Sequence, residues 1–205
     1  IFTPEGCFQD AGIITFIKLQ SSLGVRHGLK NFIGPMIATK TYQNIIFELN
    51  WKNAFEVYKQ ALAKYTGTNL TYNNFADVAK GFPFGMLKES SEYTVRMPFE
   101  VGAQGELKCL GEVMENTVLE ILTGNKVSLI KAVSQATDEC LVPKKKEKVR
   151  QYFLFDCIAR QQLLGEDFAQ EIAIVNDKFK NITDTQPLEG VLTLGEISSY
   201  GVGFL

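Results

Sequence analysis

The side chains with the clearest chemical potential lie near the end of this 205-residue chain. Cys157 and Arg160 follow an apolar run in a Cys-x-x-Arg arrangement, and Glu196 follows a second apolar run in a Gly-Glu dipeptide. If both runs are strands, Cys157 and Glu196 continue their apolar faces, and Arg160 lies just beyond the first strand. A partly buried carboxylate must be paired or face a ligand, because an isolated buried charge is costly. Arg160 and Glu196 are therefore expected to be partners in an ion pair or two poles of a ligand pocket.

Cys157 has two interpretations. Free cysteine is among the most buried residue types, so Cys157 can be a small core residue at a strand end. It could instead be a nucleophile or a metal ligand, because Arg160 nearby would favour the thiolate. A catalytic thiolate also needs a base, and the one histidine, His27, could meet it in space although it is remote in sequence. A cysteine-dependent enzyme therefore stays open as an alternative.

His27 lies in the glycine-punctuated segment Gly24-Val-Arg-His-Gly28. A single histidine with no cysteine or histidine at ligand spacing cannot form a structural zinc site, so no such metal site is expected. Haem needs only one axial protein ligand, which His27 could supply. The alternative is an exposed loop histidine without a ligand.

The composition is that of an ordinary globular protein, with 45% hydrophobic and 21% charged residues. A net charge of −2 and a sequence pI near 5.6 give no electrostatic reason to expect binding to nucleic acid or to an anionic membrane surface. No apolar run approaches the roughly 18 residues of a membrane span, and no signal peptide is visible. The four cysteines lack CxxC spacing, which favours reduced thiols and a cytoplasmic location.

Strand patterns dominate the first fifty residues. Residues 12–19 are β-branched and aromatic and predict a buried strand. The runs 36–40 and 45–49 predict a hairpin that turns at Gln43-Asn44.

The first helix is predicted to begin after Asn53. This residue has the form of an N-cap with an acidic partner at Glu56, and Gly67 is placed to end the helix. Between them, apolar and aromatic side chains recur at helical spacing on one face: Phe55, Tyr58, Leu62 and Tyr65.

Residues 92–101 alternate between apolar and polar types and predict a strand with one packed face. Arg96 lies on the polar face of this strand. It is a solvated surface residue unless another layer covers that face, in which case its planar guanidinium suits a carboxylate or phosphate ligand.

The apolar stretch 149–158 predicts a strand in the centre of a sheet, since Tyr152 to Phe155 are apolar on both faces. A helix over about 166–179 and two strands, 190–197 and 200–205, are predicted to follow. Strands and helices mix without strict βαβ alternation. The predicted class is therefore α+β, with a mixed, largely antiparallel sheet and helices packed on it.

The order of several short motifs resembles the C-terminal domain of the FIST family, a group of sensory input domains of bacterial signalling proteins. The motifs precede the Cys-x-x-Arg and Gly-Glu pieces in this order: Gly34-Pro35, Ile46-Phe-Glu-Leu49, Asn53-Ala-Phe-Glu-Val-Tyr58, Phe82-Pro-Phe-Gly85 and Glu92-Tyr-Thr-Val-Arg96. The resemblance implies that residues 1–30 are the tail of an N-terminal FIST domain. Residues 31–205 would then be the C-terminal FIST-like domain, which we expect to be truncated at its C-terminus. Two departures from the family pattern, Asp156 before the cysteine and Gln161 after the arginine, could alter what a pocket accepts.

The resemblance also implies a function. Such a domain would be a non-enzymatic sensor that binds a small polar ligand such as an amino acid and acts on a downstream signalling module in cis or in trans. The ligand contacts would come from Arg96, Cys157, Arg160 and Glu196. The resemblance leaves open a haem-binding nitric oxide sensor ligated by His27.

Overall fold

The fold combines antiparallel strands with helices on their surface, and the computed structural model describes residues 1–87, 93–141, 151–180, 187–200 and 203–204. The strands are β1 (Phe2–Thr3), β2 (Gly6–Cys7), β3 (Lys30–Tyr42), β4 (Ile45–Leu49), β5 (Lys52–Asn53), β6 (Phe84–Leu87), β7 (Tyr93–Val101), β8 (Leu107–Leu110), β9 (Val118–Thr123), β10 (Phe153–Cys157), β11 (Glu189–Thr193), β12 (Ser199–Tyr200) and β13 (Gly203–Phe204). The helices are α1 (Ala54–Thr66), α2 (Phe75–Ala79), α3 (Lys126–Leu141), α4 (Ile158–Leu164) and α5 (Phe168–Phe179), with a 3₁₀ turn at Gly165–Asp167. The predicted α+β class is confirmed.

The largest sheet has the strand order β3-β9-β6-β7-β8-β4-β5, and its pairings are antiparallel. The long strand β3 pairs with β9 through its first part and with β4 through its second part. Register shifts along β3 bend it between these two partners. The strands from β3 to β4 therefore close into a ring.

The predicted hairpin and first helix are confirmed. Tyr42 pairs with Ile45, which leaves Gln43-Asn44 as the turn. Asn53 caps α1 by accepting a hydrogen bond from the Glu56 amide at 3.2 Å, and Gly67 ends the helix in the left-handed conformation with φ 70°. The predicted stripe packs into the main core except at its last member, Tyr65, which is exposed.

The predicted strand at 12–19 is wrong. These residues have no regular secondary structure, and their apolar side chains are exposed, with Phe16 94% accessible. β-branched residues favour a strand only where a neighbouring strand can pair with them, and no described strand lies beside this segment.

The packed face of β7 is also the opposite of the predicted one. Thr94 and Pro98 are buried, whereas Phe99 is exposed. Helix α2 packs against β7, and a register shift between Pro98 and Glu100 changes the alternation further along the strand. Arg96 therefore lies on the packed face of β7, where it pairs with buried Phe84 of β6.

A smaller unit follows the main sheet and carries the candidate site. Strand β10 pairs in parallel with β11, and α3 packs against α5. Within the described ranges β10 has β11 as its one neighbour, and Phe153 and Phe155 are 59% and 65% exposed. The prediction of a central, doubly buried strand at 149–158 is therefore wrong, because only one face of β10 is covered.

The remaining predictions for the C-terminal part are confirmed in part. Helix α5 forms with Val175 and Phe179 buried, and Tyr152 stacks on Phe179 with ring centroids 4.4 Å apart. Strand β11 covers the first part of the predicted strand 190–197. The last predicted strand, 200–205, lies partly outside the described residues. No helix in the described part of the chain has the length and apolar character required to cross a membrane.

Candidate functional site

Arg160 lies in a buried cluster with two carboxylates. Its Nε is 2.9 Å from Oε1 and 3.1 Å from Oε2 of Glu171, and 3.7 Å from Oδ1 of Asp156. The side chains of Arg160, Glu171 and Asp156 are only 10%, 2% and 8% exposed. Helix α4 begins directly after β10, so Asp156 in the strand and Arg160 in the helix are only four positions apart in the chain. Glu171 comes from the facing helix α5.

The same guanidinium also connects separate parts of the backbone. Its Nη1 donates to the His27 carbonyl at 2.7 Å, and its Nη2 donates to the Leu129 carbonyl on α3. Glycines let the segment around His27 lie close to α3, since a Cβ at Gly28 would be 2.8 Å from Ala132 Cβ. Arg160 thus joins this segment, α3, α5 and the end of β10.

The cluster holds two carboxyl groups and one guanidinium cation in a water-poor environment. Burial raises the pKa of Glu171 to about 7, although the Arg160 guanidinium acts in the opposite direction. Burial likewise raises the pKa of Asp156, again opposed by Arg160. Two carboxylates therefore share the charge of one guanidinium, which is closer to Glu171 than to Asp156.

Asp156 also lines an open cavity of about 400 Å³ between the β10–β11 pair and α5. Its Oδ1 accepts a hydrogen bond from the Cys157 amide at 2.8 Å. Its Oδ2 is buried and has no hydrogen-bond partner among the residues that the structure describes. The cavity wall is mainly apolar and is formed by Leu154, Asp156, Phe168, Ile172, Asn176, Pro187, Leu188, Gly190, Val191 and Leu192.

Strand pairing positions this wall. In the parallel register, Leu154 lies opposite Gly190 and Asp156 lies opposite Leu192. A Cβ at Gly190 would be 2.1 Å from the Leu154 carbonyl oxygen, so only glycine allows β11 to approach β10 this closely. On the α5 side, Asn176 accepts a hydrogen bond from the Tyr152 hydroxyl at 3.1 Å.

The structure places Cys157 beside this cluster but gives it no activated thiolate. The residue is half-buried, and burial is the main cause that raises the pKa of its thiol. The Arg160 and Ala159 amides lower that pKa, whereas nearby Glu196 and Asp156 carboxylates raise it further. This environment favours the neutral thiol.

Glu196 is exposed, so the expectation that it is partly buried is wrong. Strand β11 ends at Thr193, and Glu196 lies beyond it and accepts a hydrogen bond from the Thr193 hydroxyl. The described ion pairs of Arg160 go to Glu171 and Asp156 instead.

Arg96 is not brought to the cluster. Its Nε donates to the Glu112 carbonyl at 2.8 Å and its Nη1 to the Val95 carbonyl at 3.1 Å. These contacts tie the half-buried side chain to the main sheet and the turn after β8. Arg96 as a ligand residue stays a prediction.

His27 does not fit a haem ligand in this arrangement. It is half-buried rather than exposed, its Nδ1 accepts a hydrogen bond from the Leu29 amide at 2.9 Å, and its Nε2 is buried. Iron could reach Nε2 only if the surrounding segment moved. Across the described ranges, no three His, Cys, Asp or Glu side chains form a group that could hold a metal ion.

Sequence reasoning missed Glu171 and undervalued Asp156. Glu171 carried a signal, because it falls at helical spacing between Phe168 and Val175 on the apolar stripe of α5. A carboxylate at such a position needs a partner. The sequence signal at Asp156 is weaker: it is the polar residue of an otherwise apolar strand.

Together, these features describe an α+β domain with an apolar cavity beside a buried ionic cluster. A family model for the FIST C domain matches residues 54–199, which is more than half of the chain. The chain belongs to the FIST family, as its motifs predict, and the match includes β10, α4, α5 and β11. The FIST C domain is a sensory type of domain, in keeping with a ligand-binding role. No curated protein and no solved structure matches the chain.

Proposed function

We propose that this domain is a non-enzymatic sensor that binds a small ligand in the cavity between the β10–β11 pair and α5. The observation that carries the proposal is the buried Asp156 Oδ2, which lacks a partner among the described residues and belongs to a residue that lines the cavity. Buried polar atoms are normally satisfied, so such an atom at a cavity is a site where a ligand group is expected. A bacterial, cytoplasmic setting is part of this proposal, and the four free cysteines support it.

The ionic cluster offers a way to transmit occupancy of the cavity. A ligand that contacts Asp156 changes the charge that Arg160 experiences at 3.7 Å. Arg160 in turn holds the His27 carbonyl and helix α3. Ligand binding would therefore bias the position of the segment around His27, and a downstream module in cis or in trans would respond to that change.

The roles of the predicted site residues differ in this proposal. Arg160 is a positioning residue that orients Asp156 and Glu171, and Cys157 supplies its backbone amide to Asp156. The exposed carboxylate of Glu196 lies near the cluster, and its negative charge raises the pKa of Asp156.

A cavity-filling variant tests the proposal. A thermal-shift screen of amino acids, amines and small carboxylates on the full chain identifies compounds that raise the melting temperature. Ile172 lines the cavity, and Ile172→Trp should abolish these shifts because the indole occupies the ligand volume. Ala173 is exposed on the same helix, so Ala173→Trp is the matched control and should retain them. Compounds that stabilise both variants equally would place the binding site elsewhere and overturn the proposal.

A further inference from the structure

We infer that the ligand of this cavity is a small primary amine with an apolar body and no carboxylate. The inference rests on the proposed function and narrows it, because it names the chemistry that the cavity wall can satisfy.

The first step concerns hydrogen bonding at Asp156. An ionised carboxylate only accepts hydrogen bonds, so a partner for Oδ2 must be a donor. Oδ1 is already used by the Cys157 amide at 2.8 Å, whereas Oδ2 is buried and unpaired within the described residues. A ligand ammonium group supplies three donors, and one of them would satisfy this oxygen without displacing an existing bond.

The second step concerns charge. Arg160 lies closer to Glu171, at 2.9 and 3.1 Å, than to Asp156, at 3.7 Å. Asp156 is therefore the less compensated of the two buried acids. A cation in the cavity would offset this negative charge, and a ligand carboxylate would add to it.

The third step concerns the rest of the wall. Of the ten described residues that line the cavity, Asp156 alone carries a charge, and none is basic. A carboxylate-bearing ligand would therefore find no cationic partner among these ten residues. Side chains such as Phe168, Ile172, Leu188 and Leu192 instead offer contacts to a branched or aromatic hydrocarbon.

Calorimetry on the full chain tests the inference with three compounds of one five-carbon skeleton and with leucine, which is the amine with an added carboxylate. The compounds are 3-methylbutylamine, 3-methylbutan-1-ol, 3-methylbutanoate and leucine. The amine should bind, and the alcohol should bind about tenfold or more weakly, because its hydroxyl can still donate a hydrogen bond but brings no positive charge to offset Asp156. Leucine and 3-methylbutanoate should be weaker still. This comparison needs no variant, so it is informative even if substitutions impair folding.

Two variants locate the effect. Asp156→Asn removes the charge with little change in shape and should reduce amine affinity about tenfold or more. Asp177→Asn, at an exposed carboxylate on α5 that is not among the described lining residues, should leave that affinity unchanged within about twofold. Tighter binding of leucine or 3-methylbutanoate than of the amine, no binding of the amine, or no effect of Asp156→Asn would overturn the inference. If a carboxylate binds and Ile172→Trp blocks it, the proposed function survives and the amine assignment fails.

Discussion

Arg160 donates from Nε to both carboxylate oxygens of Glu171, at 2.9 and 3.1 Å, and this pair joins α4 to α5 inside the protein. The pair stands between a ligand-sized cavity and the segment around His27. Its geometry therefore links the proposed binding site to a second region of the chain, and it leads to predictions about stability, protonation and reactivity.

Arg160→Ala should strongly destabilise the protein, because it leaves two buried carboxylates without their cation. Breaking one side of a buried pair typically costs about 3–5 kcal/mol. Asp77, paired with Lys80 but 83% exposed, offers a control, and Asp77→Ala should cost less than about 1 kcal/mol. Urea unfolding measures both free energies. Similar small losses in the two variants would mean that the Arg160 cluster does not hold these elements together.

Glu171→Gln should flatten the pH dependence of stability. The folded-state pKa of Glu171 is about 7, above its ordinary value of 4.5, so the folded protein binds this proton more tightly than the unfolded chain. The stabilisation from this group is complete below pH 4.5 and is lost as the pH rises through 7, an effect of roughly 3 kcal/mol.

The free energy of unfolding of the wild-type protein should therefore fall between about pH 5 and pH 8, and that of Glu171→Gln should fall less. The raised pKa of Asp156 adds a loss in the same direction that begins from its ordinary value of 3.8, and it persists in the variant. Asp77→Asn, at an exposed site, serves as the control and should keep the wild-type slope. An unchanged slope in Glu171→Gln would contradict the assignment.

Gly190→Ala should disrupt the β10–β11 pair, because the new Cβ would meet the Leu154 carbonyl oxygen at 2.1 Å. Overpacking against the backbone is expected to cost about 1–3 kcal/mol or more. Gly195→Ala is the matched control, since nothing lies within 4 Å of its Cβ, and its effect should stay within about 0.5 kcal/mol. Equal melting temperatures for the two variants would show that β11 does not approach β10 as described.

Cys157 should react slowly with iodoacetamide at neutral pH. Burial raises the pKa of its thiol, so the reactive thiolate is scarce, and the side chain is half-buried. Cys7 is exposed and should be alkylated first. Mass spectrometry of peptides at successive times gives the order of labelling. Preferential labelling of Cys157 would instead favour the cysteine-dependent enzyme.

Local signals explain which parts of the fold can be predicted from the sequence. The cap at Asn53, the terminating Gly67 and the turn at Gln43-Asn44 act through their immediate neighbours, so a short stretch determines each of them. The buried faces of β7 and β10 depend instead on which helix packs on them. Apolar periodicity alone does not specify the covering layer, and Phe153 and Phe155 accordingly lie exposed.

In the candidate site, too, features set by the local sequence can be predicted, and features set by packing cannot. Arg160 is found from the sequence because its type and its position after an apolar run indicate a strand-end cation. The partner of Arg160 cannot be predicted from the sequence, since the choice between Glu171 and Glu196 depends on how α5 packs beside α4. The sequence placed Glu196 on a strand, whereas β11 ends three residues before it.

The most direct test of the central claim is a set of intermolecular nuclear Overhauser effects between the protein and the tightest-binding compound of the thermal-shift screen. The cavity site predicts cross-peaks from the ligand to the methyl groups of Ile172, Leu188 and Leu192. Cross-peaks confined to other surfaces would contradict it, for example to Phe47 and Trp51, which line a separate cavity beside the β3–β4 hairpin.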